Sequence, residues 1–409
     1  MTPEQVSARS AIEALRSGVP SRNAVEQLGT TQRAIKEAFE ERLSILANDD
    51  DQGVEPLVIS AAFGQGKSHL LNYLKSLAAN KGFVTSFVVV SPEMPLGNPH
   101  VVLQALAEAS EAPNRTGSAL RALASDLKTN SKGYADLCLW ARSAGINERF
   151  SAILRLYEDT RDEELRDAML AHCEGDPLNL SVLKHGLKEI GEAAAYSLKT
   201  TRVGLLAHDR IRLLAQFYRA SGCNGWVVFI DEMDRLCLFP NKQRLAAWVE
   251  LGWWQAAARE AGARLLPVVA VTQGMTEEAT TKDVSRFRPG RPGAGVVDRE
   301  QLGLNAIELV KNPMRLSPPD TEQQEQIRYR VKSIYETAYG VKASEIAVAR
   351  RSYTTSIRSE IRRWITLWDL QRCYADSATE FDVISEEVQE DRSEIVDESV
   401  FDDDTDNAG

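Results

Sequence analysis

The stretch PLVISAAFGQGKS, residues 56–68, constrains the fold of this chain more than any other. Its first half is an apolar run that reads as a buried strand, its Gly-rich end reads as a tight turn, and SHLLNYLKSLAANKG carries on as a helix. Glycine lets the backbone of such a turn approach a bound group closely, and the helix that follows aims its N-terminal N–H groups at the same point. Three further apolar runs, FVTSFVVVSP, GWVVFIDEMD and ARLLPVVAVTQG, are separated by helical stretches. Apolar strands alternating with helices predict an α/β fold with a parallel sheet covered on both faces.

Set against the phosphate-loop (Walker A) pattern G-x-x-x-x-G-K-[ST], the chain offers Ala61-Ala62-Phe63-Gly64-Gln65-Gly66-Lys67-Ser68. The G-x-G-K-S core is intact, while Ala61 replaces the first glycine. The pattern predicts ATP with Mg²⁺ as the ligand. Phe63, Gly64, Gln65, Gly66, Lys67, Ser68 and His69 would line the phosphates, Lys67 would neutralise the β and γ oxygens, and the Ser68 hydroxyl would ligate the metal. His69 is expected to pack rather than to react. Ala61 is expected to continue the strand, because a position requiring φ > 0 disfavours alanine. The competing reading is an ordinary strand-turn-helix with a chance Gly-Lys-Ser.

Trp226-Val227-Val228-Phe229-Ile230 leads into Asp231-Glu232, the Walker B form of an apolar strand that delivers two acids to the sheet edge. Asp231 would hold Mg²⁺, directly or through water, and Glu232 would orient and polarise the attacking water. The alternative is a strand running into a solvated loop. Asp234 either supports this pair or caps the next helix. The run Leu265 to Val271 ends in Thr272-Gln273, where Thr272, with Gln273 second, is the candidate contact to the γ-phosphate or the water. Arg286, Arg288, Arg291 and Arg299 fall in a Gly- and Pro-rich stretch read as a loop. One of them is a candidate arginine finger acting in trans, which requires a homo-oligomer or a partner; a nucleic-acid contact and a solvated loop compete with it. Further on, Arg358 and Arg362 share a helix face at i,i+4. Arg358 is the candidate to reach over the nucleotide, against a basic face that pairs with acids. Trp248, Trp253 and Trp254 on one apolar helix read as packing.

Around these motifs the chain divides into an N-terminal helical segment (1–50), a core (51–318) with a helical insertion at about 95–205, a helical lid domain (319–377) and a tail (378–409). In the first segment Ser21 is a candidate N-cap, and Ile35, Phe39, Leu43 and Leu46 recur at helical spacing. IELVKNPMRL reads as a short strand. The fold class expected is therefore an AAA+-like P-loop NTPase, a parallel sheet with a helical insertion and a helical C-terminal lid. The net charge of −11 resides in the tail, where 13 Asp or Glu face one Arg, so residues 1–377 sum to about +1. That balance removes any compositional argument for nucleic-acid binding, leaving a stripe of Arg350, Arg351, Arg358, Arg362, Arg363 and Arg372 as the candidate DNA surface. The tail itself reads as disordered. Five scattered cysteines without a C-x-x-C pair, no apolar run long enough to span a membrane and no signal-like N-terminus lead to the expectation of a cytoplasmic protein.

The order of these parts resembles the initiator-like AAA+ ATPases. More closely, residues 8–375 resemble the ATP-binding protein of bacteriophage exclusion (BREX) systems. The resemblance is carried by AIEALRSGVPSRNAVEQLG, FGQGKSHLL, VVVSPEMPLGNPHVVL, VVFIDEMDRL and IRSEIRRWITLWDLQR. It implies a cytoplasmic antiphage ATPase working beside other system components, including a helicase in some systems; double-stranded DNA is a separate candidate partner, carried by the basic residues alone. It also implies that ATP contacts fall on Lys67 and Ser68, with Asp231 and Glu232 as the metal and hydrolysis pair. A recruiting module that binds ATP without turnover and a DNA-loading ATPase of the transposition or replication type share these motifs.

Overall fold

A computed structural model describes residues 1–18, 21–48, 52–62, 65–287, 298–345 and 356–374. Phe63, Gly64, Arg288, Arg291, Arg350, Arg351 and the tail 378–409 lie outside them. The chain opens with three helices, α1 (Pro3–Ser17), α2 (Arg22–Leu28) and α3 (Arg33–Ala47). Thr2 and Gln5 form a capping box on α1, which Gly18 ends in the left-handed conformation at φ 71°. The Ser21 hydroxyl accepts from the Ala24 N–H at the start of α2. Next come β1 (Leu57–Ser60), α4 (Lys67–Asn80) and β2 (Val84–Val89). Seven helices then intervene: α5 (Pro99–Glu108), α6 (Ala119–Ala124), α7 (Lys132–Ser143), α8 (Glu148–Asp159), α9 (Glu163–Glu174), α10 (Leu180–Glu189) and α11 (Ala207–Ala220). The remainder is β3 (Trp226–Asp231), a 3-10 turn (Met233–Leu238), α12 (Asn241–Arg259), β4 (Leu265–Val271), α13 (Gln273–Glu278), α14 (Arg299–Lys311), β5 (Met314–Arg315), α15 (Thr321–Tyr339) and α16 (Ile357–Cys373).

The five strands form one sheet in the order β2-β3-β4-β1-β5, and every pairing is parallel. Ser60 lies beside Val271 and Val89 beside Asp231, so β1, β2, β3 and β4 all end at one edge. In open parallel sheets that carboxyl edge is where ligands bind. β4 stands between β1 and β3, which sets the end of β4 between the Gly-rich turn and the two acids.

Alternation along the strands builds two cores. Val58, Val228, Ile230 and Val269 face the side covered by α5–α12 and α14. Ile59, Val227, Phe229 and Val268 face α3 and α4, where Ile35, Phe39, Leu43 and Leu46 are all buried. Each such side chain contributes roughly 1.5–3 kcal/mol by leaving water. A third core is separate. Ala8, Ala11 and Ile12 of α1 and Ala24 and Leu28 of α2 pack with Val331 and Tyr335 of α15 and Trp364, Ile365 and Trp368 of α16. The first 50 residues are therefore shared between two bodies: α3 belongs to the sheet, while α1 and α2 join the last helices of the chain.

The IELV segment departs from the expected strand. It lies inside α14, and the edge strand is only Met314–Arg315. Ala306, Ile307 and Val310 are its buried face, and α14 approaches α12 so closely that a Cβ at Gly252 would lie 2.0 Å from the Leu302 carbonyl oxygen. Packing against α12 overrides the strand preference of Ile and Val. No described helix is long and apolar enough to cross a membrane.

Candidate functional site

The Ala61 N–H still donates to the Val271 carbonyl at 3.3 Å, one residue past β1, and Ala61 is not among the described residues with positive φ. The missing first glycine thus carries no backbone strain. The turn is held by Gln65, whose Oε1 accepts from the Ala62 N–H at 3.0 Å and whose N–H donates to the Ala62 carbonyl at 3.3 Å. Gly66 caps α4 with φ 93°, a conformation that glycine alone adopts without cost. Lys67 and Ser68 are consequently the first residues of the helix.

These two side chains meet the end of β3. The Ser68 hydroxyl donates to Asp231 Oδ2 at 3.0 Å, and Lys67 Nζ lies 3.6 Å from Asp231 Oδ1. Lys67 Nζ also donates to Asp234 Oδ1 at 3.2 Å. Asp234 therefore caps no helix; it faces the lysine ammonium, a contact between residues 167 positions apart. Asp231 is buried, while Asp234 is half-exposed. A hydroxyl, a buried carboxylate and a nearby open cavity suit a hard cation that draws its remaining oxygens from phosphate and water. Among the described residues no cluster of three His, Cys, Asp or Glu side chains offers an all-protein metal site.

Glu232 sits in the left-handed region at φ 58°, ψ 37°, uncommon for a residue with a Cβ. Its N–H donates to Asp231 Oδ1 at 2.8 Å, and its Oε2 lies 2.5 Å from Arg235 Nε. Thr272 follows Val271 at the same edge, and its hydroxyl accepts from the Met275 N–H at 3.4 Å as the cap of α13. Gln273 points along that helix to Glu277 at 3.4 Å.

Beside the turn lies an open cavity of about 140 Å³. Gln65, Gly66, His69 and Leu70 form its floor; Leu15, Ala24 and Leu28 of α1 and α2 form one wall; Ile327, Ile357, Arg358 and Ile361 form another. His69 bonds the Gly29 carbonyl at 2.8 Å. Burial pushes its pKa down, the Gly29 carbonyl opposing, so it joins α4 to the end of α2 as a neutral ring. Arg358 forms no hydrogen bond or ion pair among the described residues, which leaves its guanidinium available to a ligand.

The other arginines separate. Arg286 is bound to the buried Asp283 at 3.0 Å, beside Arg244 at 2.8 Å, and Arg299 begins α14 in an exposed position. Arg362 donates to the Ser17 carbonyl at 2.6 Å, Arg363 lies 3.7 Å from Glu360, and Arg372 lies 3.3 Å from Asp369. Half of the candidate basic stripe is thus spent on contacts within the chain. Trp248 and Trp254 are buried in the core, and Trp253 stacks on His208 at 3.8 Å. Sequence reasoning missed the Lys67–Asp234 pair, Arg235 and the α1–α2 wall. The D-E-x-D-R spacing was the only signal for the first two, and nothing local signals the wall.

Residues 4–127 match the family model described as BREX system ATP-binding protein BrxC/D. No curated protein and no solved structure matches the chain. The matched span holds α1, α2, the Gly-rich turn and α4, which together make one wall and the floor of the cavity. Over these residues the chain is similar to the BREX system ATP-binding proteins BrxC/D.

Proposed function

We propose that this chain is an AAA+-like ATPase that binds ATP with Mg²⁺ and serves BREX antiphage defence as a switch or assembly factor, working with other system components such as a helicase at DNA. The observation that carries the reading is the meeting of Ser68, Lys67 and Asp231 within 3.0–3.6 Å at the carboxyl edge of the sheet. In this reading the turn at residues 61–68 is the P-loop. Lys67 balances phosphate charge, and Ser68 and Asp231 hold the metal. When bound, Mg²⁺ supplies charge neutralisation at the phosphate oxygens. Glu232 orients the attacking water and takes up its proton. Thr272 is carried to the same edge by β4, which supports a place near that water. The apolar walls of the cavity take the base, while Arg358 reaches the phosphates from a lid made of α1, α2, α15 and α16.

The test is steady-state ATP hydrolysis with and without duplex DNA, beside Lys67→Ala and Glu232→Gln. The reading expects turnover to vanish in both variants and ATP binding to persist in Glu232→Gln. ATP binding without turnover in any condition overturns hydrolysis. A recruiting module with slow or absent turnover is the second reading, favoured by the engagement of Glu232 with Arg235 at 2.5 Å.

A further inference from the structure

The segment between α2 and α3 borders the cavity beside the Gly-rich turn, with Gly29, Thr30, Thr31 and Gln32 all on its lining. Both ends of the segment are fastened to distant parts of the chain. At one end, His69 Nε2 lies 2.8 Å from the Gly29 carbonyl oxygen, so the ring carries its proton on Nε2 and donates it. At the other, Gln32 exchanges two bonds with the backbone of Ser317, donating to its carbonyl at 2.8 Å and accepting from its N–H at 3.0 Å. Gly29 turns the chain out of α2 at φ 65°, ψ −152°, a conformation that glycine reaches without cost. Just before it, the Leu28 carbonyl accepts from Arg330 of α15. His69 follows Ser68 directly in α4, so its ring could support either the phosphate side of the cavity or the far side. Its bond goes to the far side.

We propose that His69 is a positioning residue for the nucleoside part of ATP: it holds residues 29–32 at the width of base and ribose and contributes nothing to the hold on the triphosphate. This rests on the ATP reading above. Removing the imidazole N–H leaves the Gly29 carbonyl to find a new partner and releases one end of the segment. The Gln32–Ser317 exchange fixes the other end, so the two fasteners act on the same property of the site.

The experiment is calorimetric titration of the full chain with ATP and Mg²⁺ and, separately, with inorganic tripolyphosphate and Mg²⁺, which offers the phosphates without base or ribose. His69→Leu keeps the bulk of the side chain and loses the donor. It is expected to weaken ATP binding about five- to tenfold, about 1–1.4 kcal/mol, and to leave tripolyphosphate within about twofold of wild type. His69→Gln restores an N–H donor at similar reach and is expected to bind ATP like wild type. Gln32→Ala is expected to act as His69→Leu does, and decides the matter by itself where His69→Leu does not fold. Unchanged ATP affinity in His69→Leu or in Gln32→Ala overturns the proposal. So does an equal loss for ATP and tripolyphosphate, which marks His69 as a support of the turn itself, and so does a His69→Gln variant as weak as His69→Leu. Wild type that binds ATP but not tripolyphosphate overturns it as well, because the two parts of the nucleotide are then not held separately. Wild type that binds no ATP sinks the ATP reading together with this proposal, and is told apart because every other failure leaves wild-type ATP binding intact.

Discussion

Lowering the pH is predicted to destabilise the helical insertion through a single side chain, His172 on α9. The ring is fully buried. Its Nδ1 lies 2.6 Å from the Asp176 carbonyl oxygen, which requires the proton on Nδ1, and Nε2 then accepts from Arg149 at 3.4 Å. Arg210 Nη2 approaches the same ring at 3.1 Å. A second proton would place a third cation in this part of the core. Burial, then the Arg210 charge and more weakly that of Arg149, push the His172 pKa down to about 4, while the Asp176 carbonyl pulls it up. The folded value lies below the unfolded 6.5, so the native state binds fewer protons, and the contribution is complete above the unfolded pKa and lost as pH falls toward 4. The loss works out at about 1.4 kcal/mol at pH 5.5 and about 2.6 kcal/mol at pH 4.5. Other groups titrate in the same window, so the measurement is a difference. Urea unfolding of wild type and His172→Gln, followed by tryptophan fluorescence at pH 7.5, 5.5 and 4.5, isolates the histidine. At pH 7.5 the variant should be the less stable by about 1–3 kcal/mol for its lost buried bonds. That gap should shrink by the amounts above as the pH falls. A gap that stays constant down to pH 4.5 would refute the claim that these neighbours hold the ring neutral.

Three further outcomes are expected. Gly252→Ala should destabilise the protein by about 2–3 kcal/mol, visible as a lower Tm, because the new methyl meets the backbone of α14 rather than a movable side chain. Arg358→Ala should lower kcat/KM for ATP roughly tenfold to hundredfold, the worth of a charge-assisted bond of about 1.5–3 kcal/mol. Its Tm should match wild type, since the side chain makes no bond among the described residues. Deleting residues 378–409 should raise affinity for duplex DNA, most at low salt, in an anisotropy titration across ionic strength; unchanged affinity would remove the idea that the acidic tail masks a basic surface.

What could be read early was whatever depends on near neighbours in the chain. The repeat Ile35, Phe39, Leu43, Leu46 is a property of one helix, and all four are buried. The bounds of β3 and β4 follow from uninterrupted apolar runs that end in charged or polar residues. Ser21 acts as a cap within three residues of itself. IELV was misread for the complementary reason. Its composition suits a strand, and only the surface of α12, some 50 residues earlier in the chain, makes a helix the better way to bury Ile307 and Val310.

The sequence by itself determined the chemical inventory at the sheet edge: a Gly-rich turn opening a helix with Lys67 and Ser68, and a strand ending in Asp231 and Glu232. Those assignments need only local periodicity and the chemistry of the residue types. The tertiary structure alone decided which groups meet. It sets Asp234, not only Asp231, against Lys67, gives Glu232 to Arg235, and leaves Arg358 open to the cavity while Arg362 is tied to Ser17. It also joins α1 and α2 to α15 and α16, so that Arg16 pairs with Asp369 across nearly the whole chain. No periodicity in a sequence encodes such a pairing, because the cost of closing a loop grows only slowly with its length, and buried apolar area at the far end then selects the partner.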